Sequence, residues 1–203
     1  MRRILGLALG SALLASIALA GPAGASSTHA RTAIIDFSAI GSGNIMPFDY
    51  FVPQGVLFAP QQCYGSPSCH PWFVGWIQGD DAIGAGQYGG PIVARFAWPV
   101  SALSVAVAPA YQFKAKYVLT AFDAHGGVTA RRTITESQDT GLPGLSPFGY
   151  FTMSLGDFSV PACRFSVRTY FVASSYPANR IADFGLSTIH VRFQDTNPAN
   201  RCP

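Results

Sequence analysis

Glycine and proline interrupt this chain so often that long helices are excluded from most of it. The 203 residues include 21 glycines and 15 prolines, which divide the sequence into short apolar runs at fairly even intervals. Glycine weakens a helix interior and proline breaks it, and few segments show helical periodicity. Short apolar runs bounded by turn residues are typical of antiparallel sandwiches and barrels. The spacing therefore predicts an all-β protein.

Ten segments carry a strand signal. The clearest is residues 114–123, which runs into Ala124-His125-Gly126-Gly127, a hairpin turn whose glycines can adopt positive φ. We predict long loops at 79–90 and 136–147. The number of strands favours a two-sheet antiparallel β-sandwich. The other predicted strands are 32–37, 55–58, 72–78, 92–98, 102–108, 128–135, 149–155, 162–171 and 181–193.

The first 25 residues have the pattern of a secretory signal peptide. Arg2 and Arg3 precede an uncharged run rich in Leu and Ala, and Ala23-x-Ala25 is a small-x-small cleavage site. Cleavage after Ala20 is the second choice, and a membrane anchor is the alternative to a leader. We expect residues 26–203 to form a single β-sandwich domain that is secreted, extracellular or periplasmic, with no membrane span.

Four cysteines follow this leader: Cys63, Cys69, Cys163 and Cys202. An even number of cysteines in an oxidising compartment predicts disulfides. Three pairings are possible, and we favour Cys63–Cys69, which bracket a turn-rich loop, together with Cys163–Cys202. A metal site is the alternative, but the spacing does not match that of zinc ligands.

Four fragments resemble a known group of proteins. They are Ile35-Asp36-Phe37, Gly55-Val56-Leu57-Phe58, residues 119–126, and Ile181-Ala182-Asp183-Phe184. Together the fragments resemble bacterial secreted jelly-roll β-sandwich proteins that are similar to carbohydrate-binding modules. The resemblance covers most of the chain after the leader, and it implies a jelly-roll-like sandwich.

The same resemblance implies a structural calcium ion that joins the two ends of the fold. It places Asp36 and Asp183 at the matching positions, and carboxylates are the oxygen ligands that Ca²⁺ prefers. The alternative is that the two aspartates cap turns.

Several kinds of chemistry lack the residues that they need. Glu136 is the only glutamate, and no paired carboxylate motif suits a glycosidase. There is no Gly-x-Ser-x-Gly sequence, and the four histidines have no metal-ligand spacing. The formal net charge is only +3, so the composition does not favour nucleic acid as a partner. We interpret the strand arginines, including Arg164 and Arg168, as solvent-facing.

The candidate ligand-binding residues are aromatic and acidic. Trp72 and Trp76 share one face of a strand because side chains alternate along it, and flat indoles can stack against sugar rings. Tyr88 and the adjoining Asp80 and Asp81 would accept hydrogen bonds from sugar hydroxyls. The alternative is that both tryptophans belong to the core.

These observations favour a secreted, noncatalytic protein that binds a glycan or another extracellular surface. Two alternatives stay open. One is a secreted jelly-roll enzyme of the small-molecule cyclase or isomerase type. The other is a structural or inhibitory secreted protein.

Overall fold

The computed structural model describes residues 30–60, 72–77, 80–84, 90–109, 115–136, 150–156, 158–172 and 184–203. These residues form eleven β-strands and three short 3-10 helices, and every pair of strands is antiparallel. The strands are β1 (Arg31–Asp36), β2 (Ile45–Met46), β3 (Val56–Phe58), β4 (Trp72–Ile77), β5 (Asp80–Gly84), β6 (Ile92–Pro109), β7 (Ala115–Phe122), β8 (Val128–Glu136), β9 (Phe151–Leu155), β10 (Ala162–Phe171) and β11 (Phe184–Phe193).

The longest strand, β6, belongs to two sheets. Residues 92–96 pair with β3 and β10, and residues 100–109 pair with β9 and β11; Val100 also pairs with Ala162 at the start of β10. Between these two parts, the four residues 96–99 of β6 face a single residue of β10, Cys163. Such extra residues bend a strand and increase its twist. The first part of β6 forms sheet I with β3, β10, β7 and β8, and the last part forms sheet II with β9, β11, β1, β5, β4 and β2.

The two sheets face each other across one apolar core. Tyr117 of β7, in sheet I, is almost fully buried, and its ring lies 4.9 Å from the ring of Phe151 and 6.4 Å from that of Phe184, both in sheet II. Phe96 likewise contacts Phe193 at 6.3 Å. Such edge-to-face contacts add stability beyond the buried area itself. The all-β antiparallel sandwich predicted from the sequence is therefore confirmed.

Two details of the predicted strand pattern are wrong. Residues 92–98 and 102–108 are one strand that runs through Pro99; its carbonyl accepts a hydrogen bond from the Gln194 amide at 2.8 Å, although proline has no amide to donate. Residues 80–84, predicted as loop, form β5, which pairs with β4 and β11. Asp80 and Asp81 pair with β4, and Ile83 and Gly84 pair with β11; this pairing outweighs the low strand propensity of the two aspartates.

One predicted disulfide is present. Cys163 and Cys202 are bonded across 39 residues of sequence. The bond holds the C-terminal tail against the bend of β6, where the Cys202 amide donates to the Ala97 carbonyl at 3.0 Å. Cys63 and Cys69 lie outside the described residues, as do residues 1–25, and their predicted disulfide and leader stay predictions.

Among the described residues, no helix has the length and hydropathy of a membrane span.

Removing this disulfide should destabilise the fold measurably. We expect the Cys163→Ala/Cys202→Ala variant to lose about 2–4 kcal/mol of unfolding free energy, because the bond restricts the unfolded chain. Urea denaturation followed by tryptophan fluorescence measures the change. The unmodified protein under reducing conditions should lose at least as much, because the reductant would also break the predicted Cys63–Cys69 bond. Equal midpoints for the variant and the oxidised protein would contradict the expectation.

Gly55 occupies a position that no other residue suits. Its φ is +88°, and a Cβ there would lie 2.9 Å from both Phe193 Cζ and Trp98 Cζ3. We expect Gly55→Ala to cost about 1–3 kcal/mol of stability for the backbone conformation and roughly 1–3 kcal/mol more for overpacking.

Gly43 provides the matched control for Gly55. Its φ is also +88°, but nothing lies within 4 Å of a Cβ built there. Gly43→Ala should therefore show only the backbone penalty. Thermal melts of both variants measure the two losses of stability. Equal losses for Gly55→Ala and Gly43→Ala would contradict the packing argument.

Candidate functional site

The turn between β7 and β8 is held by one side chain. Asp123 Oδ1 accepts hydrogen bonds from the amides of His125 and Gly127, at 2.8 and 2.7 Å. The Asp123 amide donates to the Gly127 carbonyl at 2.8 Å, and Gly126 has a φ of +86°. Aspartate favours such turns because its carboxylate imitates a backbone acceptor. The hairpin predicted from the sequence is therefore fixed in shape and projects Asp123 and His125 from one end of sheet I.

A row of outward side chains crosses sheet I beside this turn. Arg164 of β10 lies directly opposite Arg95 of β6 on one side and Phe122 of β7 on the other. Directly opposite residues of antiparallel strands carry their side chains on the same face. Phe165 and Val167, which alternate with Arg164, are fully buried in the core. The core thus fixes which way Arg164 points.

The ring of Phe122 supports the guanidinium of Arg164. The Cζ atom of Arg164 lies 4.4 Å from the centroid of the ring, a cation–π contact. Stacking holds the planar guanidinium by its face and leaves its N–H edges available to an acceptor. Among the described residues, neither Arg164 nor Arg95 has an ion-pair partner.

Arg95 and Arg164 line an open cleft of about 330 Å³ beside the β7–β8 turn. Its size lies within the range of small-molecule sites, about 300–1,000 Å³. One wall is the β7–β8 turn, and the other is formed by β6, the start of β10 and the C-terminal tail. The residues that line it are Arg95, Asp123, Ala124, His125, Gly126, Cys163, Arg164 and Pro203.

The lining offers groups that can bind charged and polar ligands. Two guanidinium groups offer donors in the fixed geometry that carboxylate, sulfate and phosphate groups match. Asp123 and His125 offer a carboxylate and an imidazole to hydroxyl groups nearby. Among the lining residues there is no free thiol and no hydroxyl, because Cys163 is bonded to Cys202. The arrangement can hold an anionic group and hydrogen-bond a polar one beside it.

The aromatic site predicted from the sequence lies on the β4–β5 hairpin. The strand register places Trp76 opposite Asp81 and Ile77 opposite Asp80. Val74, between Trp72 and Trp76 in the sequence, is fully buried. The side chains of Trp72, Trp76, Asp80 and Asp81 are outside what the structure describes, as is all of Tyr88. The aromatic site therefore stays a prediction.

One of the two predicted calcium ligands, Asp36, lies in the described part of the chain. Asp36 lies opposite Thr188 of β11, and its Oδ1 accepts a hydrogen bond from the Ser38 amide at 2.9 Å, which caps a 3-10 helix. Asp183 falls just outside the described residues, next to Phe184. The described residues contain no cluster of three or more metal-ligating side chains. Calcium stays a prediction.

The cleft was not predicted from the sequence. The sequence of β10 indicates an outward arginine face, because polar Arg164, Ser166 and Arg168 alternate with apolar Phe165 and Val167. That signal was present, but nothing in the sequence shows that Arg95, sixty-nine residues earlier, lies opposite Arg164. Only the pairing of β6 with β10 brings the two arginines together.

Comparisons with known proteins place this chain in no family. No protein-family model and no curated protein matches it. A solved DUF4465 family protein from Bacteroides caccae has a TM-score of 0.41 and 17% identity, over 68% of this chain and 72% of that one. A carbohydrate-binding module of family 29, a mutant form, has a TM-score of 0.33 and 14% identity, over 68% and 92%.

A third solved structure is the catalytic unit of a GH87 α-1,3-glucanase from Streptomyces thermodiastaticus. It has a TM-score of 0.36 and 11% identity, over 70% of this chain but only 26% of that one. At these identities and TM-scores no function follows from the likeness.

The aromatic hypothesis for β4 can be tested with one substitution. If Trp76 stacks on a sugar ring, Trp76→Ala should abolish retention on a glycan column and leave the thermal melt unchanged. If Trp76 is core, the substitution should lower the unfolding free energy by about 3–5 kcal/mol. Val74→Ala, at a fully buried position, is the reference for the loss of core packing. A destabilised Trp76→Ala protein would contradict the stacking role.

Proposed function

We propose that this protein is a secreted, noncatalytic binding protein. It holds an anionic group of an extracellular glycan in the cleft lined by Arg95 and Arg164, which we call the arginine cleft. The observation that carries the proposal is the pair Arg95 and Arg164, which lie side by side with no ion-pair partner among the described residues. The signal-peptide pattern of residues 1–25 and the Cys163–Cys202 disulfide support an oxidising compartment outside the cytoplasm.

The arginine pair opposes stability in the absence of a ligand. Like charges directly opposite each other on neighbouring strands destabilise a sheet. Apolar or polar neighbours would serve the fold equally well on an outward face. A bound carboxylate or sulfate would replace the repulsion with two charge-assisted hydrogen-bonded contacts, which are stronger than neutral ones.

The surroundings of the arginine pair favour a sugar acid over a bare anion. Asp123, half-buried at the turn, would repel a second negative charge but accept hydrogen bonds from hydroxyl groups. His125 is exposed beside it. Leu57, which lies opposite Arg95 on β3, is 42% exposed and continues the row with an apolar surface. Anionic, hydroxyl-bearing and apolar faces occur together in uronic acids and sulfated sugars.

Two finer features of the proposal rest on the sequence. The β4–β5 hairpin, with Trp72, Trp76, Tyr88, Asp80 and Asp81, is proposed as a second contact surface for the glycan. A structural calcium ion held by Asp36 and Asp183 is proposed at the chain ends.

Arg164 is the residue to test. We expect Arg164→Gln to weaken binding of galacturonate by about 10–100-fold, since a hydrogen bond to a charged group contributes roughly 1.5–3 kcal/mol. Arg164→Lys, which keeps the charge but loses the planar fork, should also lose most of the affinity. Titration followed by NMR shifts of the His125 and Gly126 amides measures the binding.

The controls separate the cleft from general charge. Arg168→Gln removes the same charge from an exposed position of the same strand, outside the cleft, and should leave galacturonate affinity unchanged. Galactose, which lacks the carboxylate, should bind far more weakly than galacturonate. Equal affinities of the Arg164→Gln variant and the unmodified protein would refute the proposal.

A further inference from the structure

The arginine cleft lies at one end of a larger cationic surface. We name this surface the basic face: it is the outer side of sheet I and carries Arg95, Lys116, Arg131, Arg164 and Arg168. All five are at least partly exposed. We infer that the basic face binds a linear polyanionic polysaccharide, of the uronate or sulfated class, whose chain continues outward from the cleft. This inference rests on the proposed function and specifies its ligand class.

The strand register places the five cations on one side. Arg164 lies opposite Arg95, Tyr170 lies opposite Lys116, and Arg168 and Tyr170 follow Arg164 in the outward phase of β10. Arg131 lies opposite Thr120, which in turn lies opposite Ser166 of β10. The intervening residues of β7 and β10 are buried in the core.

Acidic residues are absent from the strands that build this face. Strands β3, β6, β7 and β10 contain no Asp or Glu, and β8 has only Glu136, its last residue, in register with Ala115. The chain as a whole has 10 acidic residues against 13 basic ones, so composition does not explain the asymmetry. On sheet II, by contrast, exposed Arg192 is accompanied by exposed Asp36 on β1. The positive charge is therefore concentrated on one face.

The dimensions of the basic face exceed those of a small anion. Arg164 and Arg168 are separated by four residues of one strand, or about 13 Å. From β6 to β8 there are three strand spacings, or about 14 Å. One carboxylate or sulfate can contact only the arginine pair in the cleft. A chain with an anionic group on each unit can contact the remaining cations at the same time, and each contact releases counterions.

The surface between the cations suits a sugar chain better than a nucleic acid. Single-stranded nucleic acids bind by stacking successive bases on free aromatic rings. On the described strands of this face the ring of Phe122 is covered by Arg164, which leaves the half-buried ring of Tyr170 and no run of rings for successive bases. Ser166 and Thr120, small hydroxyl residues directly opposite each other, lie deep between the larger side chains of the face. Both are almost fully buried, so a ligand on this face meets mainly the cations around them.

The experiment compares chain length and charge in one ligand series. Oligogalacturonates of increasing length are titrated into the full protein by calorimetry, beside the same oligomers with methyl-esterified, neutral carboxyls. We expect affinity to rise with length for the acidic series only, and to fall with salt. The slope of log K against log salt should be steeper for long oligomers than for galacturonate.

A double variant isolates the basic face from the cleft. Arg168→Gln/Lys116→Gln should weaken the binding of long oligomers by about two- to fivefold for each cation removed, the range of an exposed ion pair, and reduce their salt slope by roughly 1–2. It should leave galacturonate affinity unchanged, because neither residue lines the cleft. Arg192→Gln, which removes one charge from the outer side of sheet II, is the matched control and should change neither affinity.

The outcomes distinguish this inference from the proposed function. If galacturonate binding needs Arg164 but longer oligomers bind no more tightly than galacturonate, the inference of a polysaccharide ligand is wrong and the proposed function stands. Oligomer binding that depends on Arg168 and Lys116, with no galacturonate binding in the cleft, would support the basic face and refute the cleft. An oligonucleotide of equal charge that binds as tightly and competes with the oligomers would overturn the polysaccharide in favour of nucleic acid.

Discussion

The bend of β6 is the constraint on which the rest of the structure depends. One strand supplies hydrogen bonds to both sheets, so the sheets must meet where residues 96–99 leave the partnership with β10. Backbone groups freed at the bend are paired elsewhere: the Ala97 amide donates to the Gly55 carbonyl at 2.8 Å, and the Ala97 carbonyl accepts from Cys202. Buried backbone groups left unpaired would cost too much free energy for the bend to persist. The bend, the Gly55 turn and the disulfide-bonded tail are thus one structural unit.

The same bend brings the candidate site together. Because β10 resumes its pairing with β6 at Arg164, that residue lies beside Arg95 and not beside a core position. The Cys163–Cys202 bond then places the tail as one wall of the cleft. A stabilising element and a binding element share these residues, and a substitution at Cys163 would affect both. Arg164 and Arg168 are different: they lie on the outer side of a sheet whose inner side is fully packed, so their charge can change without loss of the core.

Much of the fold could be predicted from the sequence, and little of the site could. The period of two in residues 162–171, with Phe165 and Val167 inward, specifies a strand and its outward arginines. The turn at 124–127 is equally local, since glycine there permits positive φ. The predictions at Pro99 and at Asp80–Asp81 were wrong because proline and aspartate are weak strand formers, and only pairing with distant strands makes β6 continuous and β5 a strand. Trp72 and Trp76 indicate a ligand-binding surface because they are aromatics on one strand face, whereas each arginine by itself indicates only a solvent-facing position.

By itself the sequence determined the alternation of buried and exposed residues, the positions of the turns, and the shortage of acidic residues in the strands of sheet I. These properties are local or compositional, and they follow from the chemistry of each side chain. Only the tertiary structure decided that Arg95 and Arg164 are neighbours, that Phe122 supports the second of them, and that five cations share one face. Which strands pair, and in what register, depends on how two whole sheets pack their inner sides together. A one-residue shift in that register would send each of these arginines to the opposite face.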